Sequence, residues 1–170
     1  MRVPERLRWA VQMLGVAPDD QVLEIGCGPG AAVSLVCDQL DGGQITAIDR
    51  SATAIKRASE RNADHVSAGK AVLKHLDLTA LDLPGERFDK VFAVNVSLFW
   101  LRPSGPEWSI VKDHLHRHGV LHLFYDTPGA GRARQIADAV RAALSRHGFT
   151  STTTFSPSAL LFGVRGQLSG

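Results

Sequence analysis

Five short apolar runs, separated by segments with a helical repeat, constrain the fold of this chain more than any other feature. They are QVLEI (21–25), QITAID (44–49), KAVLKHL (70–76), FDKVFAVNV (88–96) and GVLHLFYD (119–126). Several are apolar nearly throughout instead of alternating, which is the pattern of parallel strands covered on both faces. Between them, Val33, Val36 and Leu40 share one helical face, Ile55 and Ala58 another, Trp108, Val111 and Leu115 a third, and Ile136, Val140 and Leu144 a fourth. Ser51 can cap the second of these helices and Pro106 can take a first helical position. Gly119 and Gly148 are expected just past helix ends, in the left-handed conformation. A further helix opens the chain from about Pro4 to Leu14, with Leu7, Ala10, Val11 and Leu14 on one face. The alternation predicts an α/β fold, a doubly wound three-layer sandwich.

The C-terminal end breaks the alternation. FTSTTTF (149–155) and ALLFGVRG (159–166) are strand-like runs separated only by Ser156, Pro157 and Ser158. Three residues cannot join a parallel pair, so these form an antiparallel hairpin in a sheet of about seven strands, one of them reversed. With 170 residues and 44% hydrophobic composition, residues 1–170 make one domain around one core. Lys and Arg exceed Asp and Glu by 19 − 17 = 2, with no basic block, which argues against nucleic acid and anionic membranes as partners. MRVPERLRWAVQ has no apolar signal region and no window reaches membrane-spanning length, so a cytoplasmic location is expected. Only Cys27 and Cys37 occur, too few for a disulfide framework or a cysteine-based zinc site.

The first strand runs into Gly26-Cys27-Gly28-Pro29-Gly30. Glycines let the chain turn sharply from strand to helix and let main-chain N–H groups approach a ligand with no Cβ in the way. With Ala31 the loop also matches G-x-G-x-x-A, the dinucleotide fingerprint, and Asp49 stands 23 residues after Gly26, where a ribose-binding acid sits. Loop and acid together indicate an adenosine-containing cofactor, and an NAD(P)-binding oxidoreductase stays open at this point.

Four motifs in order resemble the class I S-adenosylmethionine-dependent methyltransferases over nearly the whole chain. They are Glu24-Ile25-Gly26-Cys27-Gly28-Pro29-Gly30, Asp49 in TAIDR, Asp77-Leu78, and Phe88-Asp89 opening VFAVNVSLFW. The terminal hairpin is similar to that family as well. The resemblance implies that S-adenosyl-L-methionine is the cofactor and S-adenosyl-L-homocysteine the product. It places Gly26, Cys27, Gly28 and Gly30 around the methionine and ribose, with Glu24 beside the methionine amino group and residues 1–15 as a helix over the cofactor edge. Asp49 would accept from both ribose hydroxyls, Asp77 and the Leu78 backbone would take the adenine, Arg50 would flank it, and Asn95 would lie near the sulfonium. Asp77 could instead cap the turn TALDLP, and Arg50 could be a solvated charge.

AVNVSLFW departs from the Asn-Pro-Pro-aromatic segment of amino-methylating nucleic-acid enzymes, because Val96, Ser97 and Leu98 stand in its last three places. It looks more like the small-molecule branch of the family, in which Ser97, Phe99 and Trp100 would face the acceptor; Phe99 could equally lie in a buried apolar corner. The expected activity is methyl transfer to a small molecule by in-line displacement, with a cofactor-binding module of little or partner-dependent activity as the alternative. Tyr125 and Asp126, closing the fifth strand, are the only titratable candidates for catalysis, and Asp126 could instead cap the turn TPGAG. A homodimer is left open. His114 and His118 in HLHRHGVLHL would share a helical face, but His116 would point away and His122 lies across Gly119 in the next strand, so they do not converge as metal ligands must; the helical ones read as a solvated helix end interacting with the C-terminal dipole. His65 and His75 read as surface residues.

Overall fold

A computed structural model describes residues 2–170. Helix α1 (Glu5–Leu14) precedes strand β1 (Gln21–Ile25), α2 (Ala31–Cys37), β2 (Gln44–Asp49), α3 (Ala52–Arg61), α4 (Ala63–Ser67) and β3 (Ala71–His75). A 3-10 turn (Leu78–Ala80), β4 (Phe88–Val94), α5 (Leu98–Leu101), α6 (Glu107–Asp113), β5 (Leu115–Asp126), α7 (Ala130–Arg146), β6 (Phe149–Phe155) and β7 (Leu161–Leu168) complete the chain. The strands form one sheet in the order β3-β2-β1-β4-β5-β7-β6, parallel from β3 to β5, with β7 antiparallel to both its neighbours. The doubly wound sheet and its reversed last strand are as the sequence predicts.

Alternate strand residues feed two apolar layers. Leu23, Val91, Leu121 and Val164 pack with Trp108, Val111, Val140 and Leu144 from α6 and α7. Val22, Ile45, Phe92 and Phe124 pack with Ala10, Val11 and Leu14 of α1 and Val33 and Val36 of α2. Ser51 caps α3 by accepting from the Ala54 N–H (3.2 Å), and Gly148 follows α7 with φ 84°, a conformation open to glycine at no steric cost. Among the described residues, no helix is long and apolar enough to cross a membrane.

Three expectations need correction. The histidine-rich stretch is strand, not helix end: α6 stops at Asp113, and Leu115, expected on its apolar face, opens β5. His114 is buried, its Nδ1–H donating to the Ile110 carbonyl (2.7 Å) and its Nε2 accepting from the Leu83 N–H (3.3 Å). Gly119 is therefore no helix cap; it sits where the β4–β5 register shifts, and a Cβ there would meet the Phe88 carbonyl oxygen at 2.8 Å. Finally, the turn joining β6 to β7 takes five residues, 156–160, not three, because Ala159 adopts φ 57° and ends the turn before Leu161.

Candidate functional site

The C-terminal ends of β1 to β4 surround a cleft of about 260 Å³, the edge of an open α/β sheet where ligands bind. Its walls are Ile25, Gly26, Ile48, Asp49, Arg50, Leu76, Asp77, Leu78, Asn95, Val96, Ser97 and Leu98. Of the residues predicted from sequence, Gly26, Asp49, Arg50, Asp77, Leu78, Asn95 and Ser97 line it, whereas Glu24, Cys27, Gly28 and Gly30 do not; Ile48 and Leu76 join them without having been singled out from sequence.

The loop after β1 is held from two sides. Gly26 and Cys27 donate their N–H groups to the Ile48 carbonyl (2.9 and 3.0 Å). The Asp49 carboxylate accepts from the Gly28 N–H through Oδ2 (2.9 Å) and from the Ser51 N–H through Oδ1 (2.8 Å). Gly28 has φ 53° with nothing within 4 Å of where a Cβ would stand, so its face is open. Gly30 differs: at φ 82° its Cβ would lie 2.7 to 2.9 Å from Asn62 and Ala58, which makes it the contact that lets α2 lie close to α3. Asn62, unsuspected from sequence, is buried there and donates to the Gly30 and Ala58 carbonyls (3.0 and 2.9 Å).

Glu24 lies beneath the loop with only 2% of its surface exposed, and its Oε2 has no hydrogen-bond partner among the described residues. Burial, and next the Asp49 carboxylate, push its carboxyl up to about 8, so it is protonated at neutral pH. The Cys27 side chain is buried as well, and burial followed by the Glu24 and Asp49 charges pushes its thiol up, away from any reactive thiolate.

Asp77 does cap the turn after β3, accepting from the Thr79 N–H (2.9 Å) and hydroxyl (2.7 Å), and these bonds hold its carboxyl below the usual range. It nonetheless stays exposed at the cleft. Arg50 is exposed at the rim, and its carbonyl accepts from the His75 ring (3.0 Å). Asn95 takes φ 57°, a conformation Asn tolerates, and its Oδ1 accepts from the Asp126 N–H (2.8 Å). That bond ties the end of β4 to the end of β5.

The acceptor-side residues separate. Ser97 lines the cleft, and Trp100 is half-buried with the Arg132 guanidinium 5.0 Å over its ring. Phe99, expected to face the acceptor, is fully buried edge-on to Trp108, with centroids 5.3 Å apart. The short helix α5 turns it inward. Tyr125 is also turned into the core, where it stacks on Phe162 and donates its hydroxyl to the Val96 carbonyl (3.0 Å). Burial holds its phenol far above its ordinary value, so it braces the cleft wall and is no proton acceptor. Asp126 is exposed, outside the cleft lining. Among the described residues no three His, Cys, Asp or Glu side chains cluster as metal ligands.

A family model described as a methyltransferase domain matches residues 22–119, more than half of the chain. The chain belongs to the class I S-adenosylmethionine-dependent methyltransferase family. The match takes in every strand and loop that walls the cleft, whereas the β6–β7 hairpin lies beyond it. The methyltransferase domain is 31% identical over 108 residues to a malonyl-[acyl-carrier protein] O-methyltransferase of Paenibacillus sp., an alignment covering 63% of this chain and 39% of that protein. It is 35% identical over 100 residues to a trans-aconitate 2-methyltransferase of Paracidovorax citrulli, covering 57% of this chain and 36% of that protein. The chain thus aligns with less than half the length of these relatives. In fold it is similar to a SAM-dependent methyltransferase from Aquifex aeolicus, with a TM-score of 0.76 at 16% identity over 96% of this chain and 89% of that one.

Proposed function

We propose that this chain binds S-adenosylmethionine and methylates a small-molecule acceptor by in-line displacement, leaving S-adenosylhomocysteine. The observation that carries the reading is the convergence of Gly26, Asp49, Asp77, Leu78 and Asn95 on one cleft. The residues fit the cofactor. Each Asp49 oxygen accepts one main-chain bond and keeps a lone pair, enough for two ribose hydroxyls in charge-assisted bonds. Gly28 leaves open room for close approach, and the Glu24 carboxyl, neutral in the free protein, becomes a charged acceptor for the methionine ammonium once it gives up its proton. Asp77 and the Leu78 main chain take the adenine edge, Arg50 its face, and Asn95 the sulfonium end.

When bound, the sulfonium supplies an already activated methyl group, so the protein's part is to hold the acceptor in line; orientation of this kind is worth ~7–11 kcal/mol. Ser97 and the Trp100–Arg132 pair form the acceptor side. With Tyr125 committed to the Val96 carbonyl, no buried base stands at this end, which favours positioning over proton abstraction. The small positive balance, without a basic run, supports a small molecule over nucleic acid. The buried free thiols suit a reducing compartment, the cytoplasm.

Isothermal calorimetry tests the cofactor: micromolar binding of S-adenosylmethionine or S-adenosylhomocysteine is expected, and tighter binding of NAD(H) overturns the reading. A screen of metabolite pools for S-adenosylhomocysteine release then tests the acceptor class.

A further inference from the structure

β6 is the last strand of the sheet, so one of its edges faces no other strand among the described residues. Which main-chain groups lie on that edge follows from its pairing with β7. Ser156 donates to the Leu161 carbonyl (2.8 Å) and Ser169 to the Gly148 carbonyl (2.9 Å), in the register that sets Thr150 opposite Gln167. Bonded and non-bonded pairs alternate in an antiparallel ladder, so the even-numbered residues bond to β7. The N–H and C=O groups of Phe149, Ser151, Thr153 and Phe155 therefore point outward.

Edges of this kind are ordinarily blunted by lysine, proline or a bulge. FTSTTTF has no charge and no proline, and Phe155 is 39% exposed. Beside this edge, β6 and α7 enclose a groove of about 190 Å³ that Thr153 and Phe155 line. The Thr153 hydroxyl is buried there without a hydrogen-bond partner among the described residues.

We propose that β6 pairs antiparallel with β6 of a second copy of this chain, across a two-fold axis at Thr152. The strand reads almost identically in both directions about that residue: Phe149 falls opposite Phe155, Thr150 opposite Thr154, and Ser151 opposite Thr153. Every outward-pointing group then meets another outward-pointing group, whereas a slip of one residue sets them against groups already bonded to β7. The same register places a seryl hydroxyl, from Ser151 of the partner subunit, beside the unpartnered Thr153 hydroxyl, a favourable cross-strand pair. The interface is isologous, so it closes at a dimer with a continuous sheet running through both copies.

Cysteine cross-linking on the full chain tests the register, since the native Cys27 and Cys37 are buried. The two copies of residue 152 form a non-bonded pair with Cα atoms about 4.5 Å apart, within disulfide reach, whereas the copies of residue 150 fall four residues, over ~13 Å, apart. Thr152→Cys should give a covalent dimer on mild oxidation and Thr150→Cys should not. Sedimentation of the unaltered chain should give twice 18.3 kDa. Ser151→Pro removes an outward N–H without touching the β7 ladder, and should sediment as a folded monomer with unchanged circular dichroism and a melting temperature independent of protein concentration. A monomer at high micromolar concentration overturns the proposal, as does absence of the Thr152→Cys cross-link or equal cross-linking at residue 150.

Discussion

His122 is 7% exposed, and neither ring nitrogen has a hydrogen-bond partner among the described residues. Burial, then the charges of Arg165 and Lys90, lower it from 6.5 to about 4. Below pH 6.5 the unfolded chain takes up a proton that the folded chain refuses until about pH 4, so stability falls as pH drops through that window. His122→Phe should flatten this acid limb by up to about 3 kcal/mol, measured by thermal denaturation between pH 4 and 7. Parallel losses in both proteins would show that the imidazole is not buried in its neutral form. Glu24 acts on the other limb: raised from 4.5 to about 8, it keeps its proton when folded while the unfolded chain releases it. Stability therefore declines as pH rises through that window and levels off above it, and Glu24→Gln should remove the decline. Asp49→Ala should weaken S-adenosylmethionine binding by ~10–100-fold in calorimetry, by removal of a charged acceptor. Asp49 and Asn95 were legible because strand ends in an alternating α/β pattern share one edge of the sheet. The directions of Phe99 and Tyr125 were not, because one step along α5 or β5 decides between cleft and core.

Two glycines of one loop separate stability from binding. Gly28→Val strains a left-handed residue and fills the open face, so it should abolish binding. Gly30→Val drives a side chain into Ala58 and Asn62, so it should lower the melting temperature with or without ligand. Equal effects of the two on melting and on calorimetry would deny the loop its division of labour. Tyr125→Phe removes the bond to the Val96 carbonyl and should cost about 1 kcal/mol. Single-turnover transfer by Tyr125→Phe should slow by no more than about 10²-fold, and a loss beyond ~10³-fold with cofactor bound would make the phenol a catalytic group. At this scale, the five parallel strands and the hairpin stood out because their apolar runs are bounded by Gly, Pro and Ser. HLHRHGVLHL misled because residues 114, 115 and 118 satisfy a helical spacing while the stretch also alternates. Pairing with β4 decided for strand, a contact that local sequence does not contain.

For the whole molecule, the formal charge of +2 is spread over a chain with no basic block. Filter-binding to duplex or single-stranded nucleic acid should therefore be weak and vanish by physiological salt, because few phosphates could be neutralised. Nanomolar binding that survives that salt would reverse the small-molecule reading. The strand order carries a different consequence. β7 lies between β5 and β6 although it follows both in the chain. During synthesis β6 emerges with no strand to pair with, and α7 has only part of the sheet to cover, until residues 161–168 arrive. Chains truncated before Leu161 and released from the ribosome should leave β6 open to protease while β1 to β5 are already protected, so completion of the sheet waits on β7.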